Sequence, residues 1–559
     1  MSFKIKMYKK RLFQCFAFAI LAILMHPFKV FSQSTHPTDF AKSELENSAI
    51  PLHPGVPGKS PFWNVYAKRF IYAPAFNFKQ IENAVKYRFD ILSLKDSSTN
   101  TFESDVPYAP LSPVWVKVPV GNFDLKVMGI SDKGEVLGVA GEGRYYRAAT
   151  FNGPYLKPVM RYDKSAMLAL DKIMYKDYVE YWLNYSKPDT TYQFYRYPAK
   201  IFGSLIVGAV TYAKLKSDKD TIARSIKLGR IIADYLIKIS FAKGTPLEYF
   251  PPTYYGHWIG KVATSHIQLN NYMVIAAADA GNAYLDLYDF TKDEKYLDAA
   301  RRIANTFVKS QLNNGSWYLF INNQTGKPTA NKIAIPTAII NYFDRLRLNY
   351  KMEGLEEATK RAFNWTMENP MKTYYWQAQY EDRDMRTSKT YQNMSREQTC
   401  DMAIYLFKHR KGHPKYIKLA EDLIRFAEDQ FITWEQMEDL VVYKLKTYRP
   451  APDSIKTSPG WYSKNWLLPV VHEQYGFWMP SARNTGLMIE TYWNAYAVTK
   501  KEIYLAKALS IANNFTRVQQ IHHGDYPTMF TKYPMNFWIN NSIYPAKVMM
   551  ELENNLKAN

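Results

Sequence analysis

Cysteine is almost absent from this sequence of 559 residues, which contains only Cys15 and Cys400. Cys15 falls inside an N-terminal segment that we interpret below as a cleavable signal, so the mature chain is predicted to keep one cysteine. A single cysteine cannot form an internal disulfide, and the fold must therefore rest on its hydrophobic core. A chain of this length has room for a large core and a smaller companion domain.

Acidic residues are the second deficit, since 51 Asp and Glu stand against 72 Lys and Arg and give a formal net charge of +21. Without the six basic residues of the signal the charge is +15. Such an excess attracts anionic partners. The basic residues are spread along the chain, without a dense cluster or a nucleic-acid-binding motif. We therefore predict an acidic polysaccharide or oligosaccharide as partner and no nucleic acid; a generally cationic surface is the alternative explanation.

Several catalytic motifs are also missing. The sequence has no HExxH, no cysteine-rich metal spacing, no glycine-rich phosphate loop and no Gly-x-Ser-x-Gly elbow, which disfavours the enzyme classes that depend on them. His522 and His523 with Asp525, or His257 with His266, could form a metal site, but solvated or hydrogen-bonded histidines explain them better. We predict no metal and no cofactor.

Residues 1–32 predict a secretory signal peptide. Five basic residues precede the apolar run from Leu12 to Met25, and small residues near Ser32 offer a cleavage site. The apolar run is too short to span a membrane. The protein is therefore predicted to be secreted or periplasmic, with no membrane span, and residues 33–60 are interpreted as a linker.

Residues 61–150 favour β-strands. The expected strands are Tyr87 to Leu92, Trp115 to Val120, Phe123 to Ile130 and Val136 to Ala140. The text PAFNFKQIENAVKYRFDIL and VPVGNFDLKVMGISDKGEV resembles a fibronectin-III-like β-sandwich, with Ala84 and Tyr87 at its characteristic positions and Val118 to Gly121 before the next strand. Asn152-Gly153-Pro154 marks the boundary with the next domain.

Residues 155–559 predict a mainly α fold built from a repeated helical hairpin. Five segments share a repeat that begins with a loop. In the clearest copies, the loop is followed by a Tyr-Leu or Tyr-Ile pair, then by an alanine and, near the end, by a phenylalanine. These copies are residues 288–307, 408–427 and 496–515. Each pair combines a helix rich in small apolar residues with a helix that is charged on one face, so we place the former inside and the latter outside. Tyr162 to Tyr185 and Phe537 to Leu556 can close the ring as a sixth pair, which predicts an (α/α)6 toroid.

In such a ring the connections from an outer helix to the next inner helix lie on one face, and here they are long and aromatic. They cover residues 190–198, 244–266, 313–327, 374–397, 444–483 and 522–538, whereas the return connections are short. The second one contains PPTYYGHW, in which Pro251 and Pro252 prevent a helix and Gly256 permits unusual backbone angles. Long loops on one rim of a rigid scaffold are a common place for a functional site.

Aromatic rings on this rim could stack on the apolar faces of sugars. The candidates are Trp258, Trp317, Trp376, Trp461, Trp466 and Trp478. For each ring the alternative is that it anchors its loop to the ring of helices.

This combination of a basic, exported helical toroid and a fibronectin-like domain resembles the polysaccharide lyases and six-hairpin glycosidases of glycan-degrading bacteria. Residues 281–320 also resemble the helical repeats of uronate-acting toroid enzymes, including the C-terminal domain of glucuronyl C5-epimerases. The resemblance covers most of residues 155–559 and is architectural, so it implies a class of enzyme and leaves the reaction open.

β-Elimination from a uronate needs groups that neutralise the carboxylate, remove the C5 proton and protonate the leaving oxygen. The rim offers Tyr, His, Arg and Asn for these tasks. The predicted catalytic residues are Tyr255, His257, Arg386, Tyr391 and His472. The predicted substrate-binding residues, besides Trp258, Trp317, Trp376, Trp461 and Trp478, are Tyr254, His266, Asn270, Arg383, Asn393, Tyr475 and Arg483.

Hydrolysis is the main alternative, because two carboxylates facing a glycosidic bond would suffice. The rim carries Glu381, Asp382, Asp384, Glu397, Glu473 and Asp525, although each could instead pair with a neighbouring cation. A C5-epimerase and a non-catalytic glycan-binding protein are further alternatives. The sequence-based hypothesis is thus an exported lyase acting on a uronic-acid-containing glycan.

Overall fold

The computed structural model describes residues 40–52, 66–153, 156–254, 270–381, 393–437, 466–474, 477–530 and 538–558. Its helices are α1 (Phe40–Ser48), α2 (Tyr162–Met174), α3 (Asp177–Tyr185), α4 (Pro198–Leu215), α5 (Lys219–Ile239), α6 (Ala276–Thr291), α7 (Glu294–Ser310), α8 (Thr337–Tyr350), α9 (Glu356–Glu368), α10 (Pro370–Thr373), α11 (Glu397–Lys408), α12 (Lys415–Phe431), α13 (Ala482–Thr499), α14 (Glu502–Ile521) and α15 (Asn540–Ala558). Single 3-10 turns occur at Trp115–Lys117 and Gln193–Arg196.

Six of these helices form an inner ring. Helix α4 packs on α6, followed in turn by α8, α11, α13 and α15, and α15 returns to α4. Helices α5, α7, α9, α12 and α14 each pack outside the inner helix that precedes them, and α2 packs on α15. The predicted toroid is therefore confirmed for the helical part of the chain, including its closure by the first and last helical segments.

Small residues permit the close packing of the inner ring. Helix α6 begins AAADAGNA, and a side chain at Gly281 would lie only 2.4 Å from the ring of Tyr342 on α8. The Tyr342 hydroxyl reaches past this glycine and donates a hydrogen bond to the Ala300 carbonyl on α7. The outer helices instead carry charged residues along one face, because that face meets solvent.

The turns from inner to outer helices are short, as predicted. Three of them begin with a lysine in the left-handed backbone region, namely Lys292, Lys351 and Lys500. This position ends a helix and usually prefers glycine. A lysine there places its positive charge beside the negative end of the helix dipole.

The strands form three small sheets. They are β1 (Arg69–Phe70), β2 (Lys86–Ser93), β3 (Thr99–Ser104), β4 (Gly121–Ile130), β5 (Val136–Arg147), β6 (Asn271–Met273), β7 (Phe320–Asn322), β8 (Ile432–Thr433), β9 (Val470–Gln474) and β10 (Phe477–Pro480). The sheet orders are β1-β5-β4-β2-β3, β10-β9-β8 and β6-β7. The last two sheets lie in the loops that lead into inner helices.

The N-terminal β-sandwich is not confirmed. Residues 66–153 contribute one five-stranded sheet, and its buried side chains belong to the same hydrophobic cluster as the helices. The strand predicted from Trp115 to Val120 is wrong, since Trp115 begins a 3-10 turn and its buried indole donates a 2.8 Å hydrogen bond to the Ile71 carbonyl. The segment from Tyr162 to Tyr185, predicted as one helix, is divided into α2 and α3.

A buried polar cluster joins the sheet to the ring. The Asp429 carboxylate on α12 accepts hydrogen bonds from the backbone amides of Ile71 and Tyr72, at 2.5 and 2.9 Å. The ammonium of Lys507 on α14 contacts both Glu428, at 2.8 Å, and Glu44 of α1, at 2.5 Å. Because removing one partner of such a buried pair is costly, this cluster fixes the N-terminal part against the helices.

Candidate active site

A cavity of about 590 Å³ lies inside the inner ring, and we call it the bore. All six inner helices line it. Its carboxylate-bearing residues are Asp279, Asp286, Asp344, Glu381, Glu397, Asp401 and Glu490, and its basic residues are Lys200, Arg345, Lys408, Arg483 and Lys547. Carboxylates thus outnumber cations among the described lining residues.

The inner helices all begin at the face of the long loops, so position within a helix gives depth in the bore. Lys200, Asp279, Glu397 and Arg483 each lie in the first turn of their helix. Together they form one level near the loop face. Asp401 follows Glu397 by four residues and therefore lies one turn deeper on the same face of α11.

Glu397 is held as a carboxylate by Arg483 from the neighbouring helix α13. The Arg483 guanidinium donates to one Glu397 oxygen at 2.7 Å through Nη2 and at 3.1 Å through Nε. Burial raises the pKa of Glu397, but Arg483, Arg396 and Lys200 lower it by more, so the net shift is downward. The Ser395 hydroxyl accepts a 3.1 Å hydrogen bond from the Glu397 amide and fixes the start of α11.

Asp401 is in the opposite electrostatic situation. It makes no ion pair with any described residue, and burial together with the negative charge of Glu397 raises its pKa to about 7. Glu490 and Asp279 add to this rise, while Arg483 opposes it. A carboxyl group of this kind still carries its proton near neutral pH, which is the requirement for a general acid.

Asp279 supplies a second titratable carboxylate, on helix α6. Its side chain faces the open space of the bore, where the surrounding helices limit its hydration. This position raises its pKa to about 6 through loss of solvation, against the positive charges of Arg483 and Lys200. No ion pair links Asp279 to any of the described residues, so it is ionised and unpaired at neutral pH.

The loop-side edge of this level is closed by Glu381 and Tyr380. The ammonium of Lys200 lies 2.7 and 2.8 Å from the two Glu381 oxygens. It also lies 5.9 Å from the centre of the Tyr380 ring and 5.5 Å from that of Trp538. Burial and the nearby Glu397 and Glu473 raise the pKa of the Tyr380 hydroxyl, so Tyr380 keeps its proton.

The deeper end of the bore contains a carboxylate that is fully paired. Asp286 on α6 contacts Arg345 at 2.7 Å and Lys547 at 3.0 Å. Burial alone would raise the pKa of Asp286, but these two cations outweigh it and lower the pKa to about 2. Asp286 is therefore a permanent anion that joins α6 to α8 and α15.

Many of the residues predicted for the site lie outside the described residues. These are Tyr255, His257, Trp258, His266, Arg383, Arg386, Tyr391, Trp461 and Tyr475, together with the side chain of Trp478. Their roles remain predictions. The loop stretch PPTYYGHW is described only as far as Tyr254, a half-buried residue whose ring lies 6.1 Å from that of Tyr197.

His472 was predicted to be catalytic, and the structure places it elsewhere. It is fully buried in β9, with its Nε2 atom 2.8 Å from the Thr433 hydroxyl, and it does not line the bore. Burial and nearby Arg69 lower its pKa well below the ordinary value. Its described contacts explain it as a neutral histidine that packs a loop.

Three of the tryptophans predicted as sugar platforms are buried. Trp317 and Trp376 are both 0 % exposed, and the Trp317 indole donates a 2.9 Å hydrogen bond to the Phe307 carbonyl. Trp466 is 7 % exposed, with its ring 4.9 Å from that of His472. All three rings are thus buried against other described residues of the protein.

Two predicted binding asparagines lie outside the bore, whereas Arg483 lines it. Asn393 is buried, and its carbonyl accepts a 2.8 Å hydrogen bond from the Ala378 amide. Asn270 was expected at the start of an inner helix, but it adopts a left-handed conformation just before β6, and α6 begins only at Ala276. Arg483 lines the bore, where it is bound to Glu397.

Sequence reasoning missed Asp279 and Asp401, because it searched the loops and not the inner helices. A signal was available in the segment AAADAGNA, where a carboxylate interrupts a run of small apolar residues. Because a charged side chain is rarely buried among apolar ones, such a carboxylate indicates that the helix faces a cavity. Likewise Glu397 and Asp401 are four residues apart and so share one helix face.

Among the described residues no group of three potential ligands could hold a metal ion. No described helix is long and apolar enough to cross a membrane.

No protein-family model and no curated protein matches the sequence. Solved structures do show similarity. A family 76 glycoside hydrolase from a bovine Bacteroides thetaiotaomicron strain is 12% identical over 85% of this chain and 95% of its own, with a TM-score of 0.44. A cellobiose 2-epimerase from Spirochaeta thermophila is 9% identical over 71% of this chain and 98% of its own, with a TM-score of 0.43. A polysaccharide lyase is 12% identical over 85% of this chain and 63% of its own, with a TM-score of 0.41. All three scores lie below 0.5, and these similarities by themselves assign no function to the chain.

Proposed function

We propose that this protein is a carbohydrate-active enzyme that hydrolyses a glycosidic bond inside the bore, with Asp401 as general acid and Asp279 as the opposing carboxylate. The observation that carries the proposal is a pair of cavity carboxylates without cation partners among the described residues, whose pKa values are raised to about 7 and about 6. They lie on two inner helices separated by α8, and both line the same cavity. Paired carboxyl groups with different proton affinities are the requirement of most glycosidases.

The proton movements follow from these environments. Asp401 gives its proton to the glycosidic oxygen as the bond from that oxygen to the anomeric carbon breaks. Asp279 either removes a proton from an attacking water or attacks the anomeric carbon itself, after which water completes the reaction. The configuration of the first product, followed by NMR, distinguishes the two routes. Glu397 stays ionised beside Arg483, and its negative charge keeps the proton on Asp401.

The charges of the bore also bear on the substrate. Lys200, Arg345, Arg483 and Lys547 are each bound to a carboxylate. Lys408, which forms no ion pair with a described residue, lies in the last turn of α11, at the opposite end of the bore from the loops. A uronate at the level of Asp279 and Asp401 would therefore have to displace a protein carboxylate from its cation. We propose that the sugar at the cleaved bond is neutral, and that the acidic character expected from the basic composition belongs to other residues of the same polymer.

β-Elimination from a uronate is the second candidate. Tyr380 and Arg483 both line the bore, and a tyrosine with a cationic carboxylate partner is the minimal set for that reaction. The raised pKa of Tyr380 makes it a poor base, and Arg483 is occupied by Glu397. These two facts place elimination behind hydrolysis.

A panel of neutral and acidic polysaccharides tests the proposal. New reducing ends without the ultraviolet absorbance of an unsaturated uronate are expected. Asp401→Asn should abolish them, while Asp220→Asn, a control at an exposed position of the outer helix α5, should not. Absorbance that rises with the reducing ends would establish elimination instead. Binding without turnover of any glycan in the panel would contradict both candidates.

Export is a further part of the proposal. The signal predicted at residues 1–32 implies that the mature chain begins near Gln33 and acts outside the cytoplasm. N-terminal sequencing of the protein recovered from the expressing bacterium should find this processed terminus. An intact Met1 on active protein would contradict it.

A further inference from the structure

A second cavity, of about 390 Å³, lies outside the ring where α8, α9, α11 and α12 meet. We call it the basic groove and define it by Arg347, Lys360, Phe363, Lys411, His413 and Tyr416. It is on the side of the short turns, so it faces away from the long loops. Its volume is within the range of about 300–1,000 Å³ that is typical of ligand pockets.

The charge of the groove is strongly one-sided. Arg347, Lys360, Lys408 and Lys411 line it, against the single acidic residue Glu356. The three lysines are exposed and form no ion pair with a described residue. Exposed, unpaired ammonium groups around one concave surface attract an anion and can bind it through charge-assisted hydrogen bonds.

A continuous row of aromatic rings forms one wall of the groove. The His409 ring stacks on Tyr405, with ring centres 4.2 Å apart, and the His413 ring stacks on Tyr416, at 4.7 Å and an angle of 13°. Phe363 connects the two pairs, at 5.6 Å from Tyr405 and 5.8 Å from Tyr416. The half-buried Tyr416 and the exposed His413 leave ring surface open to a ligand.

The groove is connected to the bore by shared residues. Lys408 lines both cavities. Asp344, which lines the bore, accepts a hydrogen bond from Arg347 at 2.9 Å and lies 2.8 Å from the Nε2 atom of His409, and both of these residues line the groove. The wall between the two cavities is therefore one hydrogen-bonded unit, and a chain bound in the groove lies next to the far end of the bore.

We infer that the basic groove is a second carbohydrate-binding site, which takes a carboxylated or sulfated sugar of a glycan. Rings that stack on the apolar face of a sugar, beside cations that bind its anionic group, are the combination that such a ligand requires. A phosphate or a small dicarboxylate would use the lysines and leave the row of rings without a role. The site would hold an acidic polymer on the protein, whichever reaction the bore performs.

Binding is measured on the Asp401→Asn protein, so that turnover cannot remove the ligand. The probes are polygalacturonate, dextran sulfate and neutral dextran, tested by affinity electrophoresis at low and at physiological salt. We expect retardation by one or both anionic polymers and none by dextran. Adding Lys360→Glu and Lys411→Glu should weaken this binding at least about tenfold, and adding Tyr416→Ala instead should weaken it about three- to tenfold.

The matched control adds Lys219→Glu and Lys227→Glu, two exposed lysines on the outer helix α5. The net charge changes by the same amount as in the groove variant. An equal loss of polymer binding in both would therefore mean that the whole cationic surface binds the polymer, and would contradict a specific site in the groove. Unchanged binding in the groove variants, or equal retardation by neutral dextran, would also overturn it. If the charge-reversal variant does not fold, Lys411→Ala with Tyr416→Ala provides the same comparison. If the protein binds the anionic polymers but hydrolyses no glycan, the proposed function is contradicted and the proposal of a binding site in the groove is not affected.

Discussion

Asp279 and Asp286 lie on the same face of helix α6, two turns apart, and they differ in almost every electrostatic respect. Asp286, at the deep end of the bore, contacts Arg345 and Lys547, and its pKa is lowered to about 2. Asp279, near the loop face, has no ion-pair partner among the described residues, and its pKa is raised to about 6. Both are enclosed by the same ring of helices.

This comparison shows that a partner, more than depth, decides what a carboxylate inside the ring can do. The paired Asp286 connects three helices and cannot exchange a proton near neutral pH. The unpaired Asp279 and Asp401 can, because the fold places carboxylates beside them and no dedicated cation. The deep end of the bore thus stabilises the ring, while the level near the loops holds the groups for which we propose a catalytic role.

The largest effect is expected from Asp401→Asn. An amide cannot donate an acidic proton, so kcat should fall by about a thousandfold, within the usual range for a lost general acid. The melting temperature should be kept or rise slightly, because no buried charge has to be desolvated. Glycan turnover and thermal unfolding of the same preparation measure both. A variant that unfolds at a lower temperature but keeps its specific activity would assign Asp401 to the scaffold instead.

At the deep end the expected effect is on stability. Asp286→Asn leaves Lys547 without its ion-pair partner, while Arg345 keeps Asp289 at 3.0 Å. We expect a loss of roughly 2 kcal/mol in the free energy of unfolding, below the 3–5 kcal/mol of a fully buried broken pair because both cations reach solvent. Urea denaturation measures it. Unchanged stability together with lost turnover would remove the distinction between the two ends.

The pH profile of kcat/KM sharpens the comparison further. The wild-type profile should be a narrow bell, with an acid limb near pH 6 from Asp279 and a basic limb near pH 7 from Asp401. Glu397→Gln removes a negative charge and leaves Arg483 unpaired, and both changes lower the pKa values of the two aspartates. Each limb should move to lower pH by at least about half a unit. Limbs that stay in place would show that Glu397 does not act on these groups.

The smallest effect concerns stability as a function of pH. The pKa of Asp401 in the folded protein is above its unfolded value of about 3.9, so its contribution to stability is complete below about pH 4 and is lost as the pH rises through about 7. Across this window the free energy of unfolding of Asp401→Asn should therefore rise by roughly 1 kcal/mol relative to that of the wild type. This is less than the full pKa shift would give, because the Asp401 side chain is only half-buried. Parallel curves for the two proteins would contradict the raised pKa.

The sequence predicted much of the architecture. The repeated hairpin pattern, with small residues in one helix and a charged face in the next, led to the inner and outer helices because burial selects residues by size and polarity. Strand alternation located β2, β4 and β5. Trp115 was placed wrongly, since its hydrophobic neighbours suit a strand equally well and only the contact with Ile71 shows a 3-10 turn.

The site was less predictable. The sequence predicted that three loop residues, Trp317, Trp376 and His472, would contact a ligand. Packing against distant segments of the chain buries all three side chains instead. Asp279 and Asp401 could not be distinguished from Asp286 or Asp344 by type or by local context. Their difference depends on which cations the neighbouring helices bring within reach.

The sequence by itself determined that this chain builds a ring of paired helices with a basic surface, because helix periodicity and residue size are local properties that each segment carries. The tertiary structure alone decided which carboxylates keep a proton. That choice depends on Coulomb interactions over a few ångströms between residues such as Asp279 and Arg483, which are about two hundred positions apart in the chain and are brought together only when the ring closes.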